Sequence, residues 1–376
     1  MRIDGHIHFS DYRRFGELIE YMRVLELDAV GIVSLPDPAR INYNPEAFAA
    51  KAQHPGRCFV FGGLDYGRPL APQVAELHAL GADGLKLWDG KPSYQAHTGL
   101  AVDAPALLAV YREAGRLGMP VVQHVADPPV FWSGAAGGMN REVGIDYADP
   151  GLPDFEELIG QAEHAVGAVP ECRFILPHLV FLAGDLERLD GLLDHNENVV
   201  VDLAPGLYFF GDLARRPDAA RAFFEKHAAR IIFGTDGFWF PATQQGLPRG
   251  GLERNVNGAR RLARFLDTTE EMENPFEPGR AAQPVVRGLG VTGAAADPGA
   301  AANPRGAAVY GAVYGDAFTA LLGTAPRAVD LERLARSLAT FEERLAADPG
   351  GVDPGRLRAD LEDVAACRRA VEEAAG

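Results

Sequence analysis

Eight short apolar, β-branched runs in the first 240 residues, each followed by a helical pattern, constrain this chain more than any other feature. They are MRIDGHIHF (1–9), AVGIVSLP (29–36), RCFVFGGLD (57–65), DGLKLW (83–88), MPVVQH (119–124), RFILPH (173–178), NVVVDLA (198–204) and RIIFGTD (230–236). Runs apolar on both faces suit parallel strands, which need crossover helices between them. Phe15, Leu18, Ile19, Met22 and Leu25 follow a helical period after the first run. Asp103 and Asp154 stand where each would cap a helix, Gly118 stands where the first of those helices would end, and Leu186, Leu189 and Leu193 mark the next stripe. Eight βα units predict an α/β protein whose parallel strands close into a (β/α)8 TIM barrel. The alternative, an open doubly wound sheet, lacks its glycine-rich phosphate loop after the first run.

After residue 240 the order changes. RGGLERNVNGARRLARFLD reads as a helix, an Ala/Gly/Pro-rich irregular insertion follows over about 270–310, and YGDAFTALLG (314–323) reads as the last barrel helix. Amphipathic helices near 330–346 and 354–375 form a C-terminal appendage, which divides the chain into a barrel (1–325) and a helical extension (326–376). With 376 residues, 47% of them hydrophobic, the chain can bury a large core. No membrane-spanning run and no secretory signal is visible. Three scattered cysteines argue against a disulfide framework and fit a reduced cytoplasm. A formal charge of −16 disfavours nucleic acid and anionic membranes, which leaves a small-molecule partner and a homo-oligomer open.

Side chains alternate along a barrel strand. His6 and His8 therefore face one side and Ile7 the other; Lys86 goes with Trp88; Phe174, Leu176 and His178 share a face, as do Ile232, Gly234 and Asp236. Each polar residue falls at the C-terminal end of its run, where barrels of this kind build their sites. One histidine in a strand is ordinarily a hydrogen-bonded core residue, and HxH alone is a weak motif. Four histidines (His6, His8, His124, His178) and Asp236 in one register make a divalent-metal site the better reading, with zinc first for imidazole and carboxylate donors. His54, His78, His195 and His227 fall on helices or loops.

Lys86 is the sharpest single residue, because the chain has only four lysines, at 51, 86, 91 and 226. Lysine almost never enters a core unpaired. Its amine is either carbamylated and bridging two metals or an ammonium that binds an anionic substrate.

At these residues the chain resembles the amidohydrolase superfamily, in its amidohydrolase-2 group of metal-dependent hydrolases and decarboxylases. DGHIHF is similar to the group's strand-1 HxH, GLKLW to its strand-4 lysine position and QHVAD to its strand-5 histidine. LPHLVFLAGDLERL resembles the strand-6 segment, IIFGTDGFW the strand-8 aspartate and YGDAFTALLG the closing helix. The resemblance implies one of two metal plans. In the first, which it favours, His6, His8, His124 and Asp236 hold one ion while His178 orients water or polarises the substrate. In the second, His6, His8 and Asp236 hold one ion, His124 and His178 hold another, and carbamylated Lys86 bridges them. In both, Asp236 takes the proton of the attacking water and delivers it to the leaving group.

The expected activity is hydrolysis of a C–N or C–O bond in an amide, ester or lactone by metal-activated water. The alternative is non-oxidative decarboxylation of a carboxylated aromatic or muconate-like acid. A non-catalytic binding barrel ranks below both, since every metal position is filled. Trp88, Trp132 and Trp239 follow the catalytic runs; with Tyr94, Lys91 and Arg141 they are the expected substrate contacts, flat apolar walls with cations for a carboxylate.

Overall fold

Seven parallel strands run around one sheet in chain order: β1 (Ile3–Phe9), β2 (Ala29–Val33), β3 (Cys58–Gly63), β4 (Gly84–Gly90), β5 (Val121–Val125), β6 (Phe174–Leu176) and β7 (Val199–Asp202). This computed structural model describes residues 1–37, 40–133, 147, 151–205, 208–241, 250–274, 285–292, 304–347 and 353–376. The eighth strand, β8, comes in two pieces: Ile231–Ile232 pairs with β7, and Gly237–Trp239 pairs with β1. Between the pieces, Gly5 N–H donates to the Phe233 carbonyl at 2.8 Å and Asp236 N–H to the His6 carbonyl at 2.9 Å. One stretch of chain thus joins both edges of the sheet, and the ring closes into the expected (β/α)8 barrel.

The inside of the ring is filled at its lower end by Ile3, Val33, Phe59, Phe61, Val122, Ile175 and Ile232. Phe318, from the helix Ala317–Leu322, plugs that layer. Gly5 lies so close beneath it that an added Cβ would come within 2.9 Å of the Phe318 ring. Ile7, Leu85, Leu87, Val121, Leu176 and Val201 belong instead to the larger core between strands and helices. The period-2 alternation of the sequence is therefore a division between two cores.

Asp154 caps the helix Phe155–Ala168 by accepting from Glu157 N–H at 2.8 Å. Asp103 caps nothing: the helix Pro105–Arg116 begins without a side-chain cap, and Asp103 pairs with His164 Nδ1 at 2.8 Å. Within the stretch expected to be irregular, Glu271–Glu273 and Val285–Arg287 form an antiparallel pair; residues 275–284 and 293–303 lie outside the described residues. The closing helix is longer than YGDAFTALLG, starting at Pro304 and widening into a π turn over Ala312–Asp316. The helices Leu331–Ala347 and Pro354–Ala375 pack on each other, and the second packs on the barrel helix Asn44–Gln53. No described helix is long and apolar enough to cross a membrane.

Candidate metal centre

His6 reaches the barrel mouth through a bulge. The register of β1 on β2 shifts between Asp4 and Ile7, so Gly5 and His6 both turn inward while Asp4 turns out. Bulges commonly re-aim a side chain in this way. Asp4 then ties β1 to β8, its carboxylate accepting from His6 N–H at 3.2 Å, Thr235 N–H at 3.1 Å, Thr235 Oγ1 at 2.7 Å and Tyr21 Oη at 2.6 Å. Burial pushes its carboxyl up to about 6 against those hydrogen bonds. On the neighbouring β8 stretch, a Cβ on residue 234 would meet the His6 Cβ at 2.9 Å, which is why glycine stands there.

His178 arrives by a different route from the one its spacing suggests. Phe174 and Leu176 face the helices and Ile175 faces the ring, so strand alternation would carry His178 outward. Instead β6 ends, and His178, Leu179, Val180 and Phe181 take φ values of 64°, 50°, 55° and 53°. Left-handed backbone costs a non-glycine residue roughly 1–2 kcal/mol. Hydrogen bonds hold the turn: His178 N–H donates to Asp202 Oδ1 at 2.9 Å, Val180 N–H to the Pro177 carbonyl at 2.9 Å, and His178 Nδ1 to the Ala204 carbonyl.

The acceptor that each imidazole faces fixes its tautomer. His6 Nδ1 meets Asp202 Oδ2 at 2.7 Å and His8 Nδ1 meets the Val33 carbonyl at 2.9 Å. With His178 Nδ1 on the Ala204 carbonyl, all three rings carry the proton on Nδ1 and a lone pair on Nε2. His8 Nε2 then faces Asp236 Oδ1 at 2.9 Å, and His6 Nε2 faces the same oxygen at 3.7 Å. Ligand atoms of His6, His8 and Asp236 all lie within 4.8 Å of one another. Among the described residues, His6 Nε2 and His124 Nε2 are buried without a hydrogen-bond partner. Lone pairs converging on a carboxylate, with no donor among them, are an arrangement a cation satisfies.

His124 and His178 form a second pair, Nδ1 to Nε2 at 3.3 Å. Two nitrogens bound tetrahedrally to zinc at about 2.0–2.1 Å stand about 3.4 Å apart. Neither ring belongs to the group of three around Asp236. Burial keeps the imidazoles neutral: it pushes His124 down to about 3, His178 down to about 4 and His8 below its ordinary value.

Lys86 is 2% exposed inside the ring. Its Nζ makes no hydrogen bond to any described residue and sits 5.7 Å from the Trp88 ring centre. Burial pushes its amine down to about 8, with Asp236 and Asp202 opposing. The other lysines are paired: Lys51 with Asp83 at 2.6 Å, Lys91 with Asp127 at 2.6 Å, and Lys226 with Asp190 and Asp194 at 2.7 Å each.

Of the expected substrate contacts, Trp88 stacks on His124 at 5.5 Å and meets Tyr94 edge-on at 6.5 Å. Lys91 joins them through Asp127, which lies 3.6 Å from His124 Nε2 and also accepts from Tyr147 Oη at 2.5 Å. Trp132 stands a layer back, its indole donating to the Pro153 carbonyl at 3.0 Å and its ring on Tyr147 at 5.0 Å. Trp239 is turned the wrong way. It lies three residues past Asp236, pairs with outward-facing Phe9 and packs on Phe9 and Tyr21. Phe238, paired with His8 and packed with Trp88 and Tyr43, is the inward aromatic of that strand. Arg141 lies outside the described residues. Asp202 and Asp127 were missed, although Asp202 ends VVVD on the inward face of Val200 and was open to the same parity test.

No family model matches the chain, and no curated protein matches it. Solved structures do. The IDCase of Metarhizium anisopliae in apo form is 18% identical, with a TM-score of 0.49 over 82% of this chain and 79% of that one. A probable 2-pyrone-4,6-dicarboxylic acid hydrolase from Acinetobacter baumannii is 16% identical, with a TM-score of 0.45 over 70% and 92%. The 5-carboxyvanillate decarboxylase of Sphingomonas paucimobilis is 13% identical, with a TM-score of 0.44 over 82% and 82%. At such identities the likeness is one of chain fold, and the barrel stands on its own strand pairing. Fold and site together define a (β/α)8 barrel with a histidine–carboxylate cluster at the C-terminal mouth.

Proposed function

We propose that this chain is a metal-dependent hydrolase of the amidohydrolase-2 kind, acting on a C–N or C–O bond of a small organic molecule. The observation that carries the reading is the convergence of the His6 and His8 Nε2 lone pairs on Asp236, each ring held by its Nδ1 hydrogen bond. His6, His8 and Asp236 would hold one divalent cation, zinc first, which when bound supplies Lewis acidity that lowers the pKa of a water ligand to about 7. Asp236, a quarter exposed at the mouth, takes the water's proton and passes it to the leaving group. His178 and His124, kept neutral by burial, line the opposite wall, and Trp88 and Phe238 shape the substrate's flat sides.

Lys86 gives a second reading its footing. A buried ammonium facing the cluster without a hydrogen-bond partner among the described residues suits a substrate carboxylate, and a carboxylated substrate opens decarboxylation as the alternative reaction. Purified protein should carry bound divalent metal. Screening lactones, amides, esters and aromatic acids with parallel detection of released CO2 separates the two reactions. Protein that neither retains metal nor gains activity on reconstitution removes both.

A further inference from the structure

Where the helix Pro354–Ala375 docks on the helix Asn44–Gln53, a second cluster of chemistry is sealed from water. Glu46, Asp363 and Cys367 are 0%, 2% and 0% exposed. One ligand atom from each, a carboxylate oxygen or the thiol sulfur, lies within 4.8 Å of the others. Asp363 and Cys367 stand four residues apart, so they share one face of the C-terminal helix, and Glu46 meets them from the barrel.

The cluster is short of partners. Among the described residues, neither oxygen of Asp363 nor Oε2 of Glu46 has a hydrogen-bond partner. Glu46 Oε1 accepts from Arg40 Nη2, while Asp363 lies 3.7 Å from Arg13 Nε and 3.9 Å from Arg40 Nη1. Around them, Asp360 lies 3.5 Å from both Arg40 Nη1 and Arg356 Nε, Arg13 is 2.7 Å from Asp11, and Arg356 pairs with Asp37. Among the described residues, five carboxylates thus face three guanidiniums, an excess of two negative charges before the thiol ionises. Buried carboxylates left without hydrogen bonds are destabilising. A single shared proton bridges two of the three unbonded oxygens, whereas a divalent cation can take all three together with the thiolate, and either leaves one negative charge.

We propose that Glu46, Asp363 and Cys367 bind a divalent cation of the zinc class, which fastens the C-terminal helix to the barrel. Two carboxylates and a thiolate are a donor set that zinc accepts. On binding, the thiol loses its proton to solvent and the sulfur becomes the third donor. Burial pushes the Glu46 carboxyl and the Cys367 thiol well above their ordinary ranges, so binding is linked to proton release. The site does not depend on the reading of the barrel mouth, whose donors are nitrogen and oxygen alone.

That difference makes the test specific. Full-length protein is stripped with chelator and reconstituted with Co2+ alone, and absorption and bound-metal content are measured. A thiolate-to-cobalt charge-transfer band is expected. It should vanish in Cys367→Ser and Cys367→Ala, each variant should bind one equivalent less metal, and Cys58→Ser and Cys172→Ser should keep the band. Asp363→Asn should weaken Co2+ binding at this site at least tenfold. Absence of the band in the parent protein, or its survival in both Cys367 variants, overturns the proposal, as does unchanged stoichiometry in whichever Cys367 variant folds.

Discussion

Asp202 Oδ2 accepts from His6 Nδ1 at 2.7 Å, while its Oδ1 accepts from His178 N–H at 2.9 Å. A single carboxylate at the end of β7 therefore orients a histidine of each group, one by its ring and one by its backbone. Asp202→Asn keeps the shape and removes the charge that fixes the His6 tautomer. Outer partners of this type are worth about 10–100-fold in metal affinity. The expected outcome is a loss in that range by competition with a chelator, with the fold intact by circular dichroism; unchanged affinity would show that Asp202 does not tune the site.

Acid should destabilise the metal-free protein in a defined window. His124 and His178 are pushed down to about 3 and about 4 in the fold, against 6.5 for the free side chain. Below about 6.5 the unfolded chain therefore binds protons that the folded chain refuses, and stability falls as pH drops from there toward about 4. Denaturant midpoints of apo protein between pH 7 and pH 4.5 measure this. His178→Asn should flatten part of the slope, and an equal slope in parent and variant would refute the assignment.

The ring and most of its polar set were legible because alternation is a short-range rule and the runs are apolar on both faces. The rule worked where a strand stays regular, as at Lys86 with Trp88; Asp236 also reaches the mouth, although β8 is broken between Ile232 and Gly237 and Asp236 itself takes φ 53°. It failed where the backbone leaves the strand. His178 enters through a left-handed turn that no alternation foresees, and Trp239 was assigned by its closeness to Asp236 although its parity turns it outward. The C-terminal cluster was invisible, since nothing local joins Glu46 to Asp363 across more than 300 residues.

Phe318 carries the lower end of the barrel. It is 1% exposed and meets Phe59 edge-on at 5.0 Å and Phe61 at 6.5 Å. Truncating a buried phenylalanine leaves a cavity and costs about 3–5 kcal/mol. Phe318→Ala should lower unfolding stability by about that much while leaving metal content at low temperature unchanged, because the plug and the histidines occupy opposite ends of the ring. A loss under about 1 kcal/mol would mean that the layer collapses around the gap.

Lys86→Met decides between the two fates of the amine. If Lys86 is an ammonium that receives a substrate carboxylate, metal content stays at the parent value and KM for carboxylated substrates rises at least tenfold, while neutral esters or lactones are unaffected. Burial pushes the amine down to about 8. It is charged below that pH, so binding of anionic substrates should weaken as pH rises through about 8, and Lys86→Met should abolish that dependence. If the amine is instead carbamylated and bridges two ions, Lys86→Met loses about one equivalent of metal, and added bicarbonate raises the metal loading of the parent protein. Metal content and KM are read on the same preparations. A variant that keeps its metal and keeps KM for anions at every pH would assign Lys86 to neither role.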